Sequence, residues 1–370
     1  MTGPEPFEVA LDAAVLDDLR VRLGRTRWQR QPEGLGWDLG ADYAYLRALC
    51  AHWEREYDGG RLERDLNRHA NWRWRGIHTV WERAADGADR LPVLLIHGWP
   101  GGPIEFRGLI DPLVAAGHDV IVPSLPGFAF SDAPERPLNV AGMSETLRAL
   151  MGDGLGYERY AVQGGDWGAI IGARMAFEDP EAVAALHVNA PGVLPAPGEL
   201  ADPLSEAEQE WIADAQRWRL RGGFHLLVQA AAPDALAVGL ADSPGGLAAW
   251  LVEKYRRWSD CDGDVERRFS KDDLCDFFTL YWATDTVASS LRIYGAEARD
   301  RWRRAPGERV AVPAAAADFP AEIIRPPREW TARVLGDLRR WTEFDRGGHF
   351  AAFEEPELLG DDLLAFLAEL

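Results

Sequence analysis

Gly164-Gly165-Asp166-Trp167-Gly168 follows a short apolar run, Tyr160-Ala161-Val162, and opens the helical pattern Ala169-Ile170-Ile171-Gly172-Ala173. A strand that bends sharply into a helix needs small residues at the bend, and such an elbow exposes its central side chain at the edge of a sheet. Gly and Asp also make ordinary tight turns, so the rest of the chain has to decide. Here the central side chain is an acid. A serine attacking a saturated carbon would leave an ether, whereas an aspartate leaves an ester that water can cleave at the aspartate's own carbonyl. Asp166 therefore points to displacement at an sp3 carbon through a covalent intermediate.

The surroundings fit such an elbow. From Pro92 onward, short apolar runs alternate with helical stretches, the pattern of a mostly parallel sheet with helices on both faces. Val93 to Ile96, Val120 to Val122, the Tyr160 run and Ala184 to Val188 read as strands, the last closing at Asn189-Ala190-Pro191; Met143 to Met151 reads as a helix closed by Gly152. The sheet resumes at Val310-Ala311-Val312 and ends with Leu338 to Phe344, and Pro356 to Leu367 reads as a final helix. Before this core, Asp12 to Leu23 and Asp42 to Tyr57 read as helices, and Trp72 to Trp74 with Ile77 to Trp81 as a strand pair in which His78 is a structural residue. The expected organisation is an N-terminal wrapping segment at 1–85, a core at 86–191 and 306–370, and an inserted helical lid at 192–305.

A formal charge of −20 argues against nucleic acid or an anionic membrane surface as partner, and favours a neutral small molecule. Cys50, Cys261 and Cys275 are scattered without metal spacing, which predicts a reducing compartment and no disulfide framework. No leader pattern opens the chain and no stretch reaches about 18 uninterrupted apolar residues, so a cytoplasmic protein without a membrane anchor is expected. A homodimer is compatible with the sequence.

His97-Gly98-Trp99-Pro100 stands directly after the first buried strand. In the α/β-hydrolase fold that loop supplies half of an oxyanion hole, so the backbone N–H groups of Trp99 and of Trp167 are the expected donors. His97 and Pro100 in the same loop are expected to contact substrate. Arg346-Gly347-Gly348-His349-Phe350 follows the last strand, and His349 is the expected general base, in the fold's order of nucleophile, acid, histidine. The acid must lie between them: Asp318 and Glu322 are candidates, with Glu343 and Asp345 nearer His349. Spacing does not choose among them. No metal or organic cofactor is called for, since neither His-Glu-x-x-His nor paired Cys-x-x-Cys is present.

These residues resemble the microsomal-type epoxide hydrolases, including juvenile-hormone and fungal relatives, over nearly the whole chain. The resemblance rests on His97 to Gly101, Pro123-Ser124-Leu125-Pro126-Gly127-Phe128, Gly164 to Gly168, Asp242 to Trp250 and Gly347 to Pro356, in the family's order. It implies an α/β-hydrolase fold with an epoxide-hydrolase N-terminal segment. Phe319-Pro320-Ala321-Glu322 is similar to the motif whose acid orients the histidine, which selects Glu322. Of the two lid tyrosines that donate to the epoxide oxygen in that family, Ser289 to Tyr294 matches the second and implies Tyr294. At the first, His225 stands in alignment, or Phe224 after a one-residue slip, and neither is a phenol.

The implied reaction is attack by Asp166 on an apolar epoxide, then hydrolysis of the ester by a water that His349 activates, giving a vicinal diol. A Trp-rich lid (Trp211, Trp218, Trp250, Trp258, Trp282) extends the expected substrates to polycyclic aromatic epoxides, although aromatics at such spacing also make lid core. The missing tyrosine keeps one rival open, a natural-product biosynthetic enzyme that opens the ring without water; a dehalogenase, which would share the Asp166-Trp167 pair, and a binding protein without turnover are the further alternatives.

Overall fold

The computed structural model describes residues 3–85, 90–190 and 202–370. Pro191 and the expected boundaries at residue 86 and at 191–192 lie outside them. Nine strands form one sheet in the order β1-β2-β3-β5-β4-β6-β7-β8-β9. They are β1 (Glu5–Pro6), β2 (Asn71–Trp74), β3 (Ile77–Glu82), β4 (Val93–Ile96), β5 (Val120–Pro123), β6 (Tyr160–Gly164), β7 (Val183–Val188), β8 (Val310–Asp318) and β9 (Leu335–Glu343). The strands from β5 through β4 to β9 pair in parallel, while β1, β2 and β3 add an antiparallel flank. Strands β4 to β7 are buried along their whole length, which is why they read as continuous apolar runs.

Ahead of the parallel strands lie α1 (Ala13–Gly24), α2 (Tyr43–Arg55) and α3 (Gly60–Leu66). Asp12 and Asp42, expected inside α1 and α2, stand just before them and cap their free N–H groups. The strands β2 and β3 meet at a turn in which Arg75 and Gly76 both take positive φ, 48° and 79°, the geometry of a tight hairpin. His78 bonds Ser124 Oγ at 2.8 Å and Asn71 Oδ1 at 2.9 Å, the structural role expected of it. Because β3 pairs with β5, the N-terminal segment extends the sheet as well as wrapping it.

Helices α4 (Ile110–Ala115), α5 (Val140–Ala149) and α6 (Trp167–Glu178) fill the crossovers. The helix expected over Met143 to Met151 begins earlier, because Asn139 caps it, and its end loosens into a wider turn over Leu150–Gly154. Residues 206–299 are wholly helical apart from short turns, carrying α7 (Glu206–Arg221), α8 (Phe224–Ala231), α9 (Pro233–Asp242), α10 (Pro244–Trp258), α11 (Lys271–Ala283) and α12 (Val287–Arg299). The chain then returns through α13 (Arg328–Ala332), α14 (Ala351–Glu354) and α15 (Pro356–Ala368). Helix α11 is tied to α2 and the turn after it: Trp53 Nε1 donates to Thr279 Oγ1 at 2.9 Å, and the Tyr57 hydroxyl to Asp276 at 2.7 Å. No single helix among the described residues is long and apolar enough to cross a membrane.

Candidate active site

The site is assembled where the parallel strands end, the usual place for ligands on such a sheet. At the end of β6, Asp166 adopts φ 50° and ψ −127°, a conformation that non-glycine residues rarely hold. Its neighbours are glycines for steric reasons. A Cβ on Gly168 would lie 1.8 Å from the Ile96 carbonyl oxygen, and one on Gly98 would lie 2.2 Å from Asp166 Oδ1. The small residues thus let the helix start against β4 and let the loop after β4 close on the carboxylate.

That loop presents its backbone to the acid. The Trp99 N–H donates to Asp166 Oδ1 at 2.9 Å, and the Trp167 amide faces the same carboxylate. On the other side, His349 Nε2 stands 3.5 Å from Asp166 Oδ2, while His349 Nδ1 meets Glu322 Oε1 and Oε2 at 2.8 and 3.0 Å. Glu322 Oε1 is itself fixed by the N–H groups of Ile323 and Ile324, at 2.7 and 3.3 Å. The other acids that spacing left open are elsewhere. Asp318 is held by Arg325 at 2.7 and 2.8 Å, Glu343 accepts from Trp341 at 3.2 Å, and Asp345 is exposed.

Burial opposes a charge on His349, but Glu322 and Asp166 flank it and hold its pKa well above the ordinary histidine value. Burial likewise works against the Asp166 charge; His349 and the two amides outweigh it, and its pKa lies below the usual carboxylate range. His349 thus stands between Glu322 and Asp166, surroundings that favour its charged form.

Helices α8, α10 and α12 close the other side. Tyr294, on α12, lies edge-on to Trp167 with ring centroids 4.8 Å apart; burial and then the Asp166 charge raise its pKa, so the phenol stays a neutral donor. His225 takes the position opposite and is only 2% exposed, stacked on Trp99 at 6.0 Å and beside Trp258 at 4.8 Å and Tyr294 at 6.1 Å. Burial, reinforced by Lys254, pushes its pKa down to about 3, so it is a neutral imidazole and not the partly protonated one that an ordinary histidine value implies. Trp167 Nε1, His225 Nδ1 and Gln229 Nε2 are buried without hydrogen-bond partners among the described residues.

Three sequence expectations need correction. Phe224 is 36% exposed and its ring covers Lys254 and meets Trp250 edge-on, outside the site, because the helical turn that brings His225 inward carries Phe224 out. His97 is buried with both ring nitrogens engaged, Nδ1 with the Gly98 carbonyl at 3.0 Å and Nε2 accepting the Leu125 N–H at 3.1 Å, so it braces the loop and has no polar atom for substrate. Pro100 is buried in that loop with its carbonyl taken by the Tyr255 hydroxyl at 2.7 Å. Of the lid tryptophans, Trp218 and Trp258 approach His225, whereas Trp211 packs on Trp330 and Trp282 lies under Arg22. Glu105, an acid within the apolar stretch Pro103-Ile104-Glu105-Phe106 that sequence reading did not single out, stands with Asp166 and His349 around a small cavity. No group of three or more His, Cys, Asp or Glu residues among the described ones is arranged to hold a metal.

Residues 92–356 match the family described as the alpha/beta hydrolase fold, and residues 4–106 match the epoxide hydrolase N terminus. The chain is 40% identical over 375 residues to a Stigmatella aurantiaca protein provisionally named an epoxide hydrolase, covering 98% of this chain and 84% of the relative. It is 31% identical over 401 residues to Epoxide hydrolase 1 of Oryctolagus cuniculus, covering 98% and 88%. Among solved structures, the juvenile hormone epoxide hydrolase of the silkworm Bombyx mori superimposes with a TM-score of 0.90 at 29% identity, covering 100% of this chain and 95% of that one. With an elbow aspartate, a histidine–glutamate pair and relatives that match 98% of its length, the chain belongs to the epoxide hydrolase family of α/β-hydrolase enzymes.

Proposed function

We propose that this chain opens an apolar epoxide to a vicinal diol through an ester on Asp166. The observation that carries the reading is the carboxylate with its two oxygens in different settings: Oδ1 bonded to the Trp99 amide, Oδ2 beside His349 and free to attack. Asp166 Oδ2 forms a bond to one ring carbon as the carbon–oxygen bond of the epoxide breaks. Tyr294 donates its proton to the departing alkoxide, with His225 as the second contact on that oxygen.

Ester formation removes the charge on Asp166, one of the two that hold His349 protonated, so the histidine pKa falls; its proton passes through solvent to the Tyr294 phenolate, which restores the phenol and leaves the imidazole a base. Water attacks the ester carbonyl and gives one proton to His349. The oxyanion forms at Oδ1, where the Trp99 and Trp167 amides receive it. Glu322 keeps Nδ1 as the N–H side of the ring, leaving Nε2 to take the proton. Collapse expels the diol, which carries away Oδ2.

The acidic chain and buried aromatic walls favour a neutral, apolar substrate, and the three free cysteines suit a reducing, cytoplasmic setting. A single turnover of an epoxide panel in oxygen-18 water tests the reading. The first diol is expected to be unlabelled and the label to enter Asp166; label in the first diol overturns it.

A further inference from the structure

Beside Asp166 the core contains a cavity of about 20 Å³, counted as the space open to a water's centre, with Gly98, Glu105, Asp166, Asn189, His349 and Phe350 in its wall. That is room for about one water molecule. No residue of α7 to α12 lines it, so Tyr294 and His225 are not part of this wall. The polar side chains in the wall are Glu105, Asp166, Asn189 and His349. Asn189 Oδ1 already accepts from Gln163 at 2.8 Å. The Glu105 carboxyl, by contrast, has no hydrogen bond or ion pair with any described residue. It is seated by a glycine: a Cβ on Gly101 would lie 1.8 Å from Glu105 Oε1.

We propose that Glu105 holds the hydrolytic water, its carboxyl and His349 Nε2 anchoring one molecule in this cavity with a lone pair facing Cγ of the Asp166 ester. The assignment rests on the ester reading given above. One O–H of the water points to His349, which takes that proton as the oxygen bonds to Cγ; the other O–H is fixed by Glu105, which gains and loses no proton. The tetrahedral centre then breaks its bond to the diol oxygen, which receives the proton from His349. Burial, with the charge on Asp166, pushes the Glu105 pKa up to about 8 against the opposing pull of His349. A neutral carboxyl at pH 7 accepts a hydrogen bond from the water without competing with His349 for its proton.

Because the cavity wall contains no lid residue, Glu105 lies apart from the Tyr294 and His225 side where the ring opens, and its substitution is expected to bear on the second half-reaction. Rapid-quench single turnovers of Glu105→Ala and Glu105→Asp separate the halves, with the ester read by intact-protein mass. Ester hydrolysis is expected to slow about 100-fold, the scale of misplacing one reactant, with ester formation within about threefold of wild type. In the steady state kcat and KM then fall together while kcat/KM holds. A merely structural role would slow both steps. Unchanged hydrolysis, or equal slowing of both steps in the variant that folds, overturns the proposal. His349→Gln serves as the control, since it should trap the ester whatever Glu105 does. If it traps none, the Asp166 reading itself fails and the water assignment falls with it.

Discussion

Asp166 and His349 carry opposite charges in the resting site, and the first chemical step erases one of them. Ester formation needs ionised Asp166, whose pKa is already depressed, so its rate is expected to stay flat from pH 6 to 9 in single-turnover measurements. Hydrolysis needs neutral His349 in the ester, so its rate should climb with pH until that histidine is deprotonated. Asp166→Asn should lower turnover by about 10⁴-fold or more, and Glu322→Gln by about 100-fold. His225→Tyr restores a second phenol opposite Tyr294 and is expected to raise hydrolysis of simple epoxides; unchanged or lower activity would mean that the second donor does not limit the rate. Glu105 also leaves a mark on stability. Its folded pKa, about 8, is raised above the unfolded value, so its contribution is complete below about pH 4 and is lost as pH rises to 8. Glu105→Gln should therefore melt a few degrees higher than wild type at pH 8 and level with it at pH 4.

The elbow is the element on which the chemistry depends, and glycine governs it. Gly168→Ala drives a methyl into the Ile96 carbonyl, backbone against backbone, and is expected to cost about 3 kcal/mol or more, read as a lower Tm. For Gly98→Ala the nearest atoms all belong to the Asp166 side chain, so it should lower the melting temperature less than Gly168→Ala does while reducing ester formation. The strands that build this region were legible in the sequence because burial on both faces makes them continuous apolar runs. The strand β8 was not fully legible. Its second half is Ala314 to Ala317, which has little strand preference of its own but is buried there against close neighbours. In β9 the first residues, Leu335-Gly336-Asp337, lie at a polar edge with no alternation to mark them. Choosing Glu322 over Asp318 needed a family motif, because spacing along a loop does not say which carboxylate turns inward and which is taken by an arginine. Glu105 escaped notice since its meaning depends on a cavity shared by four separate loops.

At the scale of the whole molecule, the charge of −20 acts over distances that pairwise contacts do not. A neutral epoxide should show kcat/KM independent of ionic strength, whereas an epoxide bearing a carboxylate should react several-fold faster at high salt than at low, as screening weakens repulsion. A matching salt response for both would show that the surface field does not reach the site mouth. The N-terminal segment matters at this scale too. It contributes β1 to β3 to the sheet and, through Trp53 and Tyr57, grips α11, which carries the Tyr281 hydroxyl that fastens the Gly101 carbonyl of the loop after β4. It is a splint across the roof of the pocket. An enzyme splinted in this way selects among molecules by the outline of a fixed doorway rather than by folding around each visitor. Broadening its tastes is thus a matter of recarving the doorway residue by residue, with the splint left in place.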